Sequence, residues 1–274
     1  MYKEYWHLTK KPFENTTDTG FLYNSLGHQE AFSRMSYAVS EHKTGFFLSG
    51  EYGTGKTLLS KALIKECSDD KFRFVIISNP RVEPLEFIKE INYQFSGRTD
   101  TSQPLSKLEH LRSISEALNK NHKEGFYSVI IVDEAQSIEH DSLLEEIRLL
   151  FNIQRDDSML FTLLLLGELS FEDKLDNYPR LKQQFSIRYS LSPLDKEETR
   201  KYIKYRLSVS GLNKDVFSDS GYEEVYNLSG GVPRVVNNIA DLALLTGFIQ
   251  RKDIIDKDIL NQVGKDLKLP VLNY

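Results

Sequence analysis

The chain has little of what would tie it to an oxidising or membranous setting. A single cysteine, Cys67, stands among 274 residues and excludes an intrachain disulfide; its place late in an apolar-periodic helical stretch reads as a packed or half-exposed thiol. No apolar run approaches the roughly 18 residues that a spanning helix needs, and the opening Met1-Tyr-Lys-Glu-Tyr-Trp-His7 lacks the apolar stretch of a secretory signal. A reducing, cytoplasmic setting with no integral membrane segment is therefore expected. The six histidines are scattered, with no zinc-like spacing, and no Gly-x-Ser-x-Gly elbow occurs. Internal repeats, low-complexity blocks and long heptad series are absent as well. The net charge of −5 gives no global attraction to nucleic acid or acidic membranes, although a local basic patch stays open.

What is there starts with Gly50-Glu51-Tyr52-Gly53-Thr54-Gly55-Lys56-Thr57, which fits G-x-x-x-x-G-K-[ST] at every fixed position. The glycines let the backbone turn its N–H groups toward phosphate oxygens. Lys56 supplies a point charge for the β and γ phosphates, the hydroxyl of Thr57 is placed to bind Mg²⁺, and the helix opening here adds its positive end. Thr44-Gly-Phe-Phe-Leu-Ser49 before the loop reads as a buried strand, and Leu58 to Ile64 after it carries helical spacing. Glu51, Tyr52, Gly53, Thr54, Gly55 and Leu58 are thus expected at bound ATP together with Gly50, Lys56 and Thr57.

Strands and helices then alternate, with strands expected at 71–78, 127–132, 159–166 and 185–191 and helices at 84–95, 105–122 and 141–151. The polar Ser96 to Gln103 reads as a loop and Asp176 to Lys182 as a turn and short helix. The strand Tyr127-Ser-Val-Ile-Ile-Val132 delivers Asp133 and Glu134 at its C-terminal end. Asp133 is positioned to hold the Mg²⁺ shell and Glu134 to polarise an attacking water as general base; the plainer alternative is a solvated acidic turn. The apolar Met159 to Leu166 suits a central strand beside it and ends at Gly167-Glu168, where a carboxylate would repel phosphate unless protonated or paired.

The first 27 residues form an arm with interspersed rings, among them Tyr5, Trp6, Phe13, Phe21 and Tyr23. Such rings pack onto a neighbouring core, or Phe21 to Gly27 and the helix starting near His28 line an adenine pocket. Past Pro193 the pattern is wholly helical, at 196–208, 220–228, 233–249 and 256–267, with Asp195 and Glu198 spaced as a capping box and Pro233 suited to a first helical turn. This divides the chain into an α/β nucleotide-binding domain, 1–191 with its arm, and a helical domain, 192–274. Between Arg180 and Lys214 basic residues outnumber acidic ones by nine to three, which suits DNA phosphate, an acidic neighbour or simply a solvated helix face.

With these motifs and Ser229-Gly-Gly-Val-Pro-Arg234-Val-Val-Asn237 in view, the chain resembles AAA+ ATPases of the ExeA/GspA type and, more broadly, TniB/TnsC-like transposition ATPases. The likeness extends to the opening Tyr5-Trp-His-Leu-Thr-Lys-Lys-Pro-Phe13, to Phe21-Leu-Tyr23 and to Asn79-Pro80. It implies a P-loop fold with a five-stranded parallel sheet flanked by helices, then a helical lid, working as a homo-oligomeric ring or filament with ATP at subunit boundaries. By this resemblance Arg234 reaches the γ-phosphate from the lid. Two positions depart from the pattern: Glu168 stands where relatives carry Gln, and Gln184 where they carry Arg as the finger given to the next subunit. Arg180 or Arg188 is the available substitute; Arg188, inside an expected strand, suits a structural partner better. Without a finger, slow or partner-stimulated hydrolysis is expected.

Three functions follow as expectations. The first is an ATP-hydrolysing switch that assembles on nucleotide and acts on a protein machine of secretion or pilus type. The second is a DNA-binding ATPase of a mobile element that polymerises on DNA, and the third a scaffold that binds ATP and hydrolyses it weakly. Secretion proteins of the ExeA type often continue through a membrane span into a wall-binding domain, and the residues up to Tyr274 contain neither.

Overall fold

The computed structural model describes residues 2–67, 71–97, 105–155 and 158–268. In chain order the elements are α1 Tyr2–Tyr5, α2 Leu26–Ser40, β1 Gly45–Gly50, α3 Lys56–Glu66, β2 Phe72–Ile77, α4 Pro84–Ser96, α5 Lys107–Lys123 and β3 Tyr127–Val132. There follow α6 Asp141–Leu150, β4 Gln154–Arg155, β5 Ser158–Met159, β6 Phe161–Leu166, α7 Ser170–Asp176, α8 Pro179–Lys182 and β7 Ile187–Leu191. The last four are helices, α9 Lys196–Val209, α10 Asp219–Ser229, α11 Pro233–Ile249 and α12 Lys257–Asp266. The residues group into two compact units, one of Met1–Gln29, Glu51–Leu58 and Ser192–Tyr274, the other of Glu30–Gly50 and Leu59–Leu191.

The second unit holds the sheet. Its five strands are all parallel in the order β2-β3-β6-β1-β7. β1, β3 and β6 are buried at every residue, as expected of strands covered on both faces. Period-two alternation sends Phe47, Ile130, Val132, Leu163 and Leu165 into one core, shared with Phe87, Ile88 and Ile91 of α4, Ile114 and Leu118 of α5 and Leu143, Leu144 and Ile147 of α6. Phe46, Leu48, Val129, Ile131, Leu164 and Leu166, equally buried, fall on the opposite face. β7 alternates half-buried and exposed, as an edge strand does. The parallel five-stranded sheet expected from the sequence is the one observed, with the 159–166 segment central as β6.

Three features were not expected. β4 and β5 form a two-residue antiparallel ladder, too short for any periodicity to reveal. α7 buries only Phe171 and Leu175, a stripe of two residues in a polar segment. The reciprocal capping box belongs to Ser106 and Glu109 at the start of α5, not to Asp195 and Glu198. The Asp195 side chain does accept the Glu198 N–H at 2.7 Å, but the Glu198 carboxylate turns away and accepts the N–H of Leu26, the first residue of α2, at 3.1 Å. The long-range partner wins because an unsatisfied helix N-terminus attracts an anion. Most of the expected loop Ser96 to Gln103 lies outside the described residues. Cys67 is half-buried just past α3.

The first unit is built around α9 to α12, with one isolated bridge among the described residues, Phe217 to Ile255. Trp6, Leu8 and Phe13 of the arm are buried in this helical core with Ile203, Leu207, Val236, Ile239, Ala240 and Leu244. The Trp6 indole donates to the Leu244 carbonyl at 2.9 Å, and buried Arg206 donates to the carbonyls of Pro12 and Glu14 at 2.5 and 2.9 Å. Of the arm's rings, Trp6 and Phe13 therefore pack as core, with Tyr5 and Tyr23 half-buried against it. None of the described helices is long and apolar enough to cross a membrane.

Candidate functional site

β1 ends at Gly50, and the loop Glu51 to Gly55 follows before α3 opens at Lys56. Gly53 adopts φ +87°, and a Cβ there would lie 2.7 Å from the Cβ of Arg234, so both its dihedral and its neighbour require glycine. The Glu51 carbonyl organises the turn: it accepts from the Thr54 N–H at 3.3 Å, the Thr54 hydroxyl at 2.8 Å and the buried Lys56 ammonium at 3.0 Å. Thr57 is the second residue of α3, half-buried, with its hydroxyl in the first turn.

Arg234 is brought to this loop. Its N–H donates to the Gly53 carbonyl at 3.3 Å and its guanidinium lies 4.7 Å over the ring of exposed Tyr52. The Gly-Gly-Val-Pro-Arg motif explains how. Gly230 closes α10 in the left-handed conformation, and Pro233 opens α11 where a missing N–H costs nothing. Gly231, at φ +75°, would place a Cβ 1.8 Å from the Leu194 carbonyl oxygen, so no side chain is admitted. Asn237 accepts from the buried Tyr202 hydroxyl at 2.8 Å and donates to Asn15 of the arm at 2.9 Å.

Beside the loop is a cavity lined by Phe21, Leu22, Tyr23, His28, Thr54, Gly55, Leu58, Leu194, Tyr202 and Pro233. Phe21 to Tyr23 and His28 thus line it together with the loop residues Thr54 and Gly55, around a volume of about 30 Å³. His28 carries more than was expected of it. Its Nε2 lies 2.9 Å from the Thr54 carbonyl and its Nδ1 2.7 Å from the Ser25 hydroxyl. A carbonyl only accepts, so Nε2 carries the proton and Nδ1 accepts from Ser25. Burial lowers the His28 pKa, partly offset by its hydrogen bond to Thr54. Its only sequence signal was a polar residue at a helix start, which does not announce a partner 26 residues away.

His28→Ala is expected to leave the Thr54 carbonyl unpartnered and to destabilise the chain by about 1–3 kcal/mol. The sign of its pH dependence follows from the lowered pKa. The unfolded state binds the proton more readily, so the contribution is complete above the ordinary value of 6.5 and is lost as pH falls below it. Thermal melts from pH 8 to pH 5 should therefore show a smaller acid loss in His28→Gln than in the parent; parallel curves would remove His28 from this role.

In the sheet-bearing unit, β6 separates β1 from β3, so Gly50 at the end of β1, and Gly167-Glu168 and Asp133-Glu134 just past β6 and β3, lie along one edge of the sheet. Asp133 is buried, its N–H donating to the Ile77 carbonyl at 2.9 Å and its Oδ1 accepting the Glu134 N–H at 2.9 Å. Glu134 has φ 55° and ψ 41°, the left-handed region that few non-glycine residues adopt. Such strain concentrates where a side chain must be aimed. Gln184 accepts from Thr44 through its backbone carbonyl, while Arg188 donates to the carbonyls of Phe185 and Lys182 at 3.0 and 2.6 Å, a structural engagement as expected. Arg180 is exposed on α8.

The basic residues of α9 are engaged within their own unit. Arg200 pairs with Asp219 at 2.7 Å, Lys201 with Glu197 at 3.6 Å, Lys204 with Asp215 at 2.9 Å and Lys196 with Glu223 at 2.6 Å, while Arg206 is buried on backbone carbonyls. Exposed pairs of this kind add little stability, about 0–1 kcal/mol each, but they remove charge that phosphate would otherwise meet.

A glycine loop between a parallel strand and a helix, and an acidic pair at the end of a second strand one place removed, define an ATPase of the P-loop class. Residues 39–175, half of the chain, match the family model of the AAA domain, and the chain belongs to that family. It is 31% identical over 250 residues to General secretion pathway protein A of Aeromonas hydrophila, a match that covers 90% of this chain and 45% of that protein. The kinship with GspA-type ATPases read from the motifs is borne out by this identity. The chain spans less than half the length of that relative. Among solved structures it is similar in fold to Cdc6p of Pyrobaculum aerophilum, with a TM-score of 0.71, 17% identity, and coverage of 91% of this chain and 70% of that one. It is likewise similar to a chain of the Drosophila ORC bound to DNA, with a TM-score of 0.71, 12% identity, and coverage of 94% and 64%.

Proposed function

We propose that the chain binds and hydrolyses ATP with Mg²⁺ and that nucleotide-dependent assembly of its copies drives a protein machine of the secretion or pilus type. The observation that carries the nucleotide half is the loop's construction, with Lys56 buried against the Glu51 carbonyl and Arg234 seated at Gly53 and Tyr52. The partner half rests on the likeness to General secretion pathway protein A. Residues 1–191 act as the nucleotide-binding part and 192–274 as a helical lid; the strands of the sheet all precede Ser192 and α9 to α12 all follow it.

The amides of Gly50 to Leu58 hold the phosphates, and Lys56 gives its ammonium to the β and γ oxygens. Thr57 and Asp133 offer oxygen donors only, the set a hard cation such as Mg²⁺ prefers, and the ion when bound offsets charge on the β and γ phosphates. Glu134 takes the proton of the attacking water, and Arg234 answers the γ-phosphate charge with a planar cation. The base lies on the Phe21 to Tyr23 side of the loop, where the cavity of about 30 Å³ must widen to admit it.

ATP turnover per chain measured against protein concentration tests the assembly. We expect a steep rise with concentration, accompanied by growth in light scattering; flat turnover with no change in particle size would leave a monomeric enzyme. Labelled duplex DNA at two salt concentrations tests the transposition-type alternative. The paired charges of α9 lead us to expect no tight binding at low salt. Tight, salt-sensitive binding in the presence of an ATP analogue would shift the reading to DNA.

A further inference from the structure

We propose that Gln136 is the positioning residue for the Glu134 carboxylate and that Glu168 shares the same side-chain amide, an inference that rests on Glu134 acting as the base. After β3 the left-handed turn at Glu134 begins a short 3-10 turn, Ala135–Ser137, in which the Ser137 N–H donates back to the Glu134 carbonyl at 2.8 Å. This reversal folds the Gln136 side chain over the residues before it. Its Nε2 donates to Glu134 Oε2 at 2.5 Å and faces Glu168 Oε1 at 3.4 Å, while its Oε1 accepts the Glu168 backbone N–H at 3.1 Å.

The amide's orientation is fixed by chemistry. A backbone N–H can only donate, so the atom facing it is the Gln136 oxygen, and the two hydrogens on the nitrogen are left for the two carboxylates. Gln136 therefore straps the flexible Glu134 side chain to the end of β6, whose Gly167 N–H is itself bonded to the Leu48 carbonyl of β1 at 3.0 Å. The same strap accounts for an acid at position 168, because that carboxylate has an N–H to face. Charge around Gln136 comes from Asp133 and Glu134, from Glu168, and from α7, which packs on this turn and carries Glu172, Asp173 and Lys174. Lys174 is engaged by the Ile138 carbonyl at 2.8 Å and Asp141 at 3.5 Å. A base must be held within hydrogen-bond reach of its proton, and a misplacement of about 1 Å can cost roughly 100-fold in rate.

The test uses the full chain with Gln136→Met, close in shape and without polar atoms, and Gln136→Glu. For Gln136→Met we expect kcat to fall by roughly 100-fold, while KM for Mg-ATP and affinity for a fluorescent ATP analogue stay near the parent's. In Gln136→Glu the introduced group repels Glu134 when ionised and can donate to it when protonated. Turnover relative to the parent is then expected to rise as pH is lowered. An unchanged kcat in Gln136→Met, with Glu134→Gln inactive, would overturn the strap and leave the base in place. Full turnover in Glu134→Gln would instead overturn the base. If Gln136→Met does not fold, the pH profile of Gln136→Glu decides, and a profile parallel to the parent's overturns the proposal.

Discussion

Glu134→Gln is expected to bind Mg-ATP with nearly the parent's affinity and to lose turnover by roughly 10²–10⁴-fold, the range contributed by a positioned general base. The amide keeps the size of the carboxylate and can still meet Gln136, so the turn at φ 55° has no reason to change. What is lost is the acceptor of the water's proton. A binding titration with a fluorescent analogue, paired with phosphate release under single-turnover conditions, separates the two. If hydrolysis persists at the parental rate, Glu134 is an ordinary acidic turn and the water is activated elsewhere. If binding is lost together with turnover, the substitution has acted through the fold. Assembly gives a further readout: a protein that binds ATP without consuming it should hold its nucleotide-bound oligomer longer than the parent.

The fold was legible because burial on two faces leaves a coarse signature. Strands such as Val129 to Val132 and Leu163 to Leu166 are apolar without interruption, and their order between helical stretches defines a parallel sheet. The glycine loop and the acidic pair were legible for a different reason, since each is contiguous in sequence. What escaped depends on contacts between distant residues. Glu198 had the spacing of a capping box, yet its carboxylate serves Leu26, 172 positions away in the chain. His28 met Thr54 and Gln136 met Glu168 by the same kind of closure, and no local pattern marks either. Glu168 illustrates the gap well. Taken alone it was an acid in a place unsuited to one, and only the folded turn supplies the amide that accommodates it.

The second large effect is expected at Lys56. Its ammonium is buried at the start of α3 and donates to the Glu51 carbonyl, the same oxygen that accepts both Thr54 donors. The turn therefore keeps two of its three donors in Lys56→Ala and should retain its shape. Affinity is another matter. Charge-assisted hydrogen bonds contribute about 1.5–3 kcal/mol each, so loss of one such contact to phosphate corresponds to roughly 10- to 150-fold weaker ATP binding. Thermal unfolding offers a check independent of turnover. At ATP near 100 times the parental Kd, binding stabilises the parent by about 2.7 kcal/mol, whereas a protein weakened 100-fold gains only about 0.4 kcal/mol. A melting shift with ATP that equals the parent's would show that the ammonium does not grip the nucleotide, and the phosphate assignment of the whole loop would fall with it.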